Sequence, residues 1–308
     1  MSGGNNEGRA HVRTLWAVRE PSLHMKVLVV GCRGMLGSEL MEALRSDSGG
    51  YETVGLDLPE IDITRLQSCR GAIDGFRPDV VINAAAFTRV DDCETRQNLA
   101  ISVNGDGAGN LAAASAAAGA MFVHYGTDYI FDGRKAEGYR EDDAPAPASV
   151  YGKSKLLGEE MVRRNSPKHM IIRISWLFGA NGANFIRTIT GAARKGNPLR
   201  VVNDQHASPT YAKDVAGQTV KMIEAGCSGT YHVTNGGDCT WYDLAVKAVE
   251  WAKIPDISIT PITSSEYPLP APRPSYSILL DTRLAREGLP RLRSWQDAAR
   301  EYVEQYLL

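Results

Sequence analysis

The feature that most constrains this chain is a run of apolar residues, Lys26-Val27-Leu28-Val29-Val30, that leads straight into Gly31-Cys32-Arg33-Gly34-Met35-Leu36-Gly37. Four β-branched or aliphatic residues in succession, without polar alternation, suit a strand buried on both faces. Such strands belong to the interior of parallel sheets covered by helices. The glycines follow at G-x-x-G-x-x-G spacing and open a helical pattern. Gly31 permits a tight turn, Gly34 lets the backbone approach a pyrophosphate, and Gly37 lets the helix pack closely on the sheet. The free N–H groups at the helix start then face the phosphates. Glycines alone often mark only a turn, and the preceding buried strand is what gives these their dinucleotide reading.

The same alternation recurs. Runs 79–83 (D-V-V-I-N), 121–125 (M-F-V-H-Y) and 170–174 (M-I-I-R-I) read as further buried strands. Helical patterns fall at Met35–Arg45, Leu66–Phe76, Leu99–Ala118 and Tyr151–Arg164. Strand–helix alternation predicts right-handed βαβ units in an α/β, doubly wound parallel sheet of Rossmann type. After Ser175 the pattern loosens into a helix at Asn184–Lys195, a strand at Leu199–Val202, the loop D-Q-H-A-S-P-T and a helix from Ala212. A proline-rich, non-regular segment then runs from Pro255 to Pro274. The expected organisation is a disordered tail over 1–24, a mainly dinucleotide-binding domain over 25–175, and a smaller, mainly substrate-binding region over 176–308. Some segments of the last are expected to return to the first domain.

Composition removes several classes of function. A net charge of −2, with both signs well mixed, leaves no basic footprint for nucleic acid. No apolar run reaches the length that spans a bilayer, and residues 1–24 lack the apolar stretch of a signal peptide. Five scattered cysteines without a C-x-x-C pair read as reduced thiols in a cytoplasmic protein, not as a zinc site.

Two further patterns carry chemistry. Tyr151 and Lys155, four apart on one helix face, read as a phenol whose pKa a neighbouring ammonium lowers, so that it can trade a proton with a carbonyl. Thr127 stands at the end of the strand M-F-V-H-Y, where a βα loop reaches the substrate side of the sheet. Asp57, at the end of the second strand T-V-G-L-D, stands where an acid takes the adenosine ribose hydroxyls. It favours NADH, whereas Arg33 in the glycine loop favours the 2′-phosphate of NADPH. Arg33 also reads as a solvated loop cation, and Asp57 as a solvated strand end. The balance predicts NADPH with NADH also accepted.

With these residues in place, the chain resembles the extended short-chain dehydrogenase/reductase superfamily and, within it, the dTDP-4-dehydrorhamnose reductase family. The resemblance runs from about Met25 to the C-terminus. It is carried by N-A-A-A-F-T-R-V-D-D-C-E (83–94), H-Y-G-T-D-Y-I-F-D-G (124–133), V-Y-G-K-S-K-L-L-G-E (150–159), R-I-S-W-L-F-G (173–179), V-N-D-Q-H-A-S-P-T (202–210) and Arg273-Pro274. It implies NAD(P)H-dependent reduction of the C4 ketone of a nucleotide-sugar, dTDP-4-dehydro-β-L-rhamnose, with Thr127, Tyr151 and Lys155 as the catalytic set. Gly34, Met35 and Leu36 would meet the pyrophosphate, Asp57 the adenosine ribose, and Asp62 and Ile63 the adenine. Ala86, Phe87, Thr88 and Tyr125 would line the cofactor groove. Asp128, Trp176 and Arg273 would contact the substrate, although Asp128 also reads as a turn cap and Trp176 as core.

The chain departs from the family's pattern at two places. Gly126 precedes Thr127 where the family often has serine, which leaves Thr127 as the hydroxyl there. Some members share Mg²⁺ between subunits through three glutamates. Here Glu39 matches the first, and Lys213 and Gln296-Asp297 stand at the other two, so no metal is expected and a homodimer stays an alternative to a monomer. Other readings of the same set are a nucleotide-sugar epimerase or dehydratase, and a non-catalytic regulatory subunit of methionine adenosyltransferase. Tyr129, not glutamate, follows Asp128, which argues against dehydration.

Overall fold

The computed structural model describes residues 24–46 and 50–308, so the expected tail lies outside the described residues apart from His24. The first half alternates as its patterning requires. Strand β1 (Met25–Val30) leads to helix α1 (Met35–Ser46), β2 (Tyr51–Leu56), α2 (Leu66–Phe76) and β3 (Val80–Asn83). After them come α3 (Val90–Thr95), α4 (Gln97–Ala100), α5 (Ala108–Ala117), β4 (Met121–Thr127), α6 (Val150–Asn165) and β5 (His169–Ile174). The short strand β6 (Leu177–Phe178) precedes α7 (Phe185–Ala193), β7 (Leu199–Val202), β8 (His206–Ala207), β9 (Thr210–Tyr211) and α8 (Ala212–Glu224). Strand β10 (Gly229–His232), β11 (Cys239–Thr240), α9 (Trp241–Trp251), β12 (Ile259–Ile262), α10 (Thr282–Arg286) and α11 (Trp295–Tyr306) complete the order.

Six parallel strands form the central sheet in the order β10-β5-β4-β3-β1-β2. Successive side chains of β1 feed two cores, one on each face. Val27 and Val29 pack with Leu40, Val123 and Val215 beneath α1 and α8, whereas Leu28 and Val30 pack with Ile73, Leu111 and Phe122 beneath α2 and α5. The chain leaves β1 for β2 on one side and returns to β3 on the other. That reversal opens a crevice at the carboxyl ends of β1 and β3, where ligands of such sheets bind. A separate apolar core of Phe178, Ile186, Tyr211, Leu244, Trp295 and Tyr302 joins α7, α9 and α11.

Two expectations need correction. The single helix over Leu99–Ala118 starts at Gln97 and widens into a π-helical stretch over Ile101–Gly107 before α5. The wider coil places the Asn104 amide where its Oδ1 accepts the Phe87 N–H at 2.8 Å and its Nδ2 donates to the Ser154 hydroxyl at 3.0 Å. Asn104 thereby ties the loop after β3 to α6, and such π turns concentrate at functional sites. The proline-rich segment is not wholly irregular, because Ile259–Ile262 pairs in parallel with β7, Pro261 standing opposite Val201. Proline is tolerated there because a two-stranded sheet leaves each strand an open edge.

Candidate active site

The glycine loop is shaped by contacts that no larger residue would allow. Gly31 has φ +83°, and a Cβ on it would lie 2.5 Å from the Ala85 nitrogen. A Cβ on Gly37 would overlap the Gly31 carbonyl, so α1 starts hard against the strand end. Gly34 meets only the Gly31 carbonyl, at 3.3 Å, and faces open space. A cavity of about 250 Å³ extends from this loop along Asp57, Asp62 and Ile63. A second, of about 440 Å³, extends past Met35, Leu36 and Thr88 to Thr127, Tyr151 and Lys155. Gly34, Ala84 and Ala86 line both. The two cavities therefore meet at these residues and form one trough that runs from Asp57 past Gly34 to Tyr151.

At the adenosine end, Asp57 accepts the N–H groups of Arg33 at 3.0 Å and Leu58 at 2.9 Å, which orients its carboxylate at the end of β2. The Arg33 side chain is solvent-exposed, as a loop cation is, but has partners of its own. Its guanidinium donates to the Leu58 carbonyl at 2.7 Å and to Glu60 at 2.5 Å. Glu60, which no motif singled out, is thus the carboxylate partner of Arg33. Asp62 accepts the backbone N–H and the hydroxyl of Thr64 within its own turn, and Ile63 is buried apolar wall.

At the other end, the Ser149 hydroxyl caps α6 by accepting the Gly152 N–H at 3.1 Å, so that Tyr151 and Lys155 enter the cavity on successive turns. Both are nearly excluded from water, at 9% and 4% exposure. The Lys155 ammonium donates to the Tyr125 carbonyl at 2.6 Å. The expected lowering of the Tyr151 pKa is not found. Burial raises it strongly, the Thr127 hydroxyl opposes that in part, and Lys155 is not among the causes. Lys155 is itself pushed down to about 8 by burial, with Glu159 opposing. A neutral phenol is the state a proton donor needs, so Tyr151 remains suited to act as an acid.

Thr127 donates to Asp128 Oδ1 at 3.0 Å, and Asp128 Oδ2 is buried without a hydrogen-bond partner. Burial lifts the Asp128 carboxyl to about 6, against the opposing pull of the Ser277 and Thr127 hydroxyls. Thr127, not Asp128, caps the short turn that follows. Trp176 has φ +43° and lies in the cavity wall, its ring stacked on Trp241 with centroids 3.4 Å apart. Trp241 was not expected from the sequence. Its position as the first residue of α9, after the Thr240 capping box, is the only local signal it carries.

Of the expected groove residues Tyr125 and Phe87 and the expected substrate contact Arg273, only Tyr125 lines the cavity. Tyr125 lies along the cavity, but its hydroxyl is buried against Thr219 at 2.8 Å. Phe87 packs beside Tyr151 and Cys93 and is absent from the cavity lining. Arg273 makes a two-pronged ion pair with Asp91, both contacts at 2.8 Å, which clamps the proline-rich segment to α3 outside the cavity. Away from the trough, Lys213 pairs with Glu301 at 2.7 Å, and no cluster of three metal-ligating side chains occurs among the described residues.

Comparison with known proteins agrees with this geometry. The family described as "RmlD substrate binding domain" matches residues 25–308. The spore coat polysaccharide biosynthesis protein SpsK of Bacillus subtilis is 41% identical over 280 residues, which covers 91% of this chain and 97% of that one. A dTDP-4-dehydrorhamnose reductase of Aggregatibacter actinomycetemcomitans is 38% identical over 293 residues, covering 91% and 99%. The dTDP-4-dehydrorhamnose reductase of Bacillus anthracis, solved in complex with NADP, superposes with a TM-score of 0.89 at 35% identity, covering 92% of this chain and all of that one.

Proposed function

The chain belongs to the dTDP-4-dehydrorhamnose reductase family, and from that premise we propose how its own residues carry out the reaction. The reaction is NADPH-dependent reduction of the C4 ketone of dTDP-4-dehydro-β-L-rhamnose to the alcohol: ketone, NADPH and one proton give dTDP-L-rhamnose and NADP⁺. When bound, NADPH supplies the hydride. The observation that carries the reading is the convergence of Thr127, Tyr151 and Lys155 on the cavity that continues the glycine-loop trough.

Tyr151, held neutral by burial, presents its hydroxyl to the ketone oxygen and delivers its proton there as the C4–O⁻ charge develops. Thr127 turns its one hydroxyl hydrogen from Asp128 to the same oxygen when the sugar binds. Lys155 holds the ribose next to the reacting ring and replaces the phenol's lost charge balance. Trp176 and Trp241 wall the sugar, and Asp128 Oδ2, lacking any protein partner, accepts one of its hydroxyls. At the far end Asp57 takes the adenosine ribose, while Arg33 leaves Glu60 for the 2′-phosphate when NADPH binds. The reading places the enzyme in the cytoplasm, which its five unpaired cysteines support.

The test is to incubate the protein with dTDP-4-dehydro-β-L-rhamnose and NADPH and identify the sugar by NMR. One NADPH oxidised per dTDP-L-rhamnose formed is expected. Epimerised sugar without NADPH consumption favours an epimerase, and no turnover at all favours a non-catalytic dinucleotide-binding protein.

A further inference from the structure

Under the catalytic end of β4 lies an ion pair that the reaction itself does not use. Glu159 is fully buried and Arg173 is 2% exposed. Arg173 donates to both carboxylate oxygens, from Nε at 3.0 Å and from Nη2 at 2.8 Å, and Arg163 adds a contact at 2.8 Å from the helix surface. Replacing such a pair by apolar side chains of similar volume is often neutral or stabilising, so stability alone gives no reason for it.

Its placement does give one. Glu159 follows Lys155 by four residues, and so lies one turn along the same face of α6. Arg173 stands directly beside Gly126 in the β4–β5 register. A Cβ on Gly126 would overlap Glu159 Oε1 and lie 2.9 Å from the Arg173 Cγ. The carboxylate is therefore seated on Gly126 itself. On one side is Tyr125, whose carbonyl holds the Lys155 ammonium at 2.6 Å, and on the other is Thr127. This also accounts for glycine at 126, since a serine there would collide with the pair.

We propose that Glu159, braced by Arg173, is a positioning residue for the reaction centre: it supports the strand end that presents Thr127 and holds the Lys155 ammonium in place and charged. The proposal rests on the reading of Lys155 as part of that centre. Of the titratable groups around Lys155, Tyr151 and Asp128 line the same cavity, Glu159 lies one turn along its helix, His124 lies on β4 and Arg173 pairs with Glu159 from β5. Arg163 lies further out on α6. His124 is kept neutral by burial and by the nearby Lys155 and Arg163 charges, so it adds no competing positive charge. Burial drives Lys155 toward its uncharged form, and Glu159 is the group that opposes this. Without the carboxylate, Lys155 loses its proton at lower pH.

The test is the pH profile of kcat/KM for NADPH, which reports groups of the free enzyme, in wild type, Glu159→Gln, the double variant Glu159→Gln/Arg173→Met and Lys155→Arg. Activity is expected to fall as pH rises through about 8 in the wild type, and this limb should vanish in Lys155→Arg. In Glu159→Gln the limb should move to a pH lower by about one, the size of effect expected for removing a close opposite charge. Glu159→Gln leaves the Arg173 guanidinium buried without its partner and can fail to fold, whereas the double variant removes both charges and keeps the volume. An unmoved limb in a double variant with native circular dichroism overturns the proposal. A limb that persists in Lys155→Arg instead overturns the reading of Lys155 on which the proposal rests.

Discussion

Asp128 gives the most quantitative prediction. Its carboxyl is buried, has one oxygen without a partner, and is raised from 3.8 to about 6. Between those two values the folded protein holds the proton more tightly than the unfolded chain does. Rising pH therefore removes stability: the penalty is absent below about 4, grows through the window and is complete above about 6. A displacement of about two pH units at 1.36 kcal/mol each makes that penalty on the order of 3 kcal/mol at neutral pH. Asp128→Asn keeps the shape and removes the charge. It should stabilise the protein by up to about 3 kcal/mol at pH 7 and by little at pH 4. The same change should cut kcat/KM for the nucleotide-sugar by at least about tenfold, because a charge-assisted hydrogen bond is worth roughly 1.5–3 kcal/mol. Urea unfolding of both proteins across this pH range, with steady-state kinetics at pH 7, measures the two effects. A stability difference that is flat with pH would refute the reasoning, and so would an Asn variant less stable than wild type at pH 7.

The other predictions concern the trough. Gly31→Ala, forced to φ +83° and against the Ala85 backbone, should destabilise by about 2–4 kcal/mol in urea unfolding and weaken NADPH binding. Gly71→Ala, in the interior of α2 with nothing within 4 Å of the new methyl, should stabilise by about 0.5–1 kcal/mol; equal effects of the two would contradict the packing described for the loop. Glu60→Gln, which weakens the hold on the Arg33 guanidinium, should raise the NADPH-to-NADH ratio of kcat/KM, and Arg33→Ala should lower it. A ratio unchanged in both variants would remove these residues from cofactor choice. Trp241→Ala, which unstacks Trp176, should raise KM for the nucleotide-sugar by about three- to tenfold and leave the NADPH Kd unchanged, on the scale of an aromatic contact.

The parts of this protein that were legible in the sequence are those whose chemistry is local. Val27–Val30 had to be buried on both faces, Gly31 and Gly37 had to be glycine for their backbone contacts, and Tyr151 and Lys155 had to share a helix face. What escaped depends on partners distant in the chain. Lys155 was expected to tune Tyr151, but its ammonium reaches the Tyr125 carbonyl, a contact made only when α6 packs on β4. Arg33 was weighed against Asp57 without Glu60, whose side chain reaches it across a loop. Arg273, expected at the substrate, instead pairs with Asp91, 182 residues earlier. The helix from Gln97 hid its π turn, because the Asn104 bonds to Phe87 and Ser154 that accompany it leave no trace in periodicity. Strand β10 carries no such local signal, since pairing with β5 at the edge of the sheet is what makes Gly229–His232 a strand.

The central claim is that Tyr151 delivers the proton to the ketone. Its direct test is single-turnover oxidation of NADPH by Tyr151→Phe mixed with dTDP-4-dehydro-β-L-rhamnose, alongside the NADPH Kd of the same variant. Removing a general acid typically costs about 10²–10⁴-fold in rate. A loss of that size with an unchanged Kd is the predicted result, and near-normal turnover in a variant that still binds NADPH would contradict it.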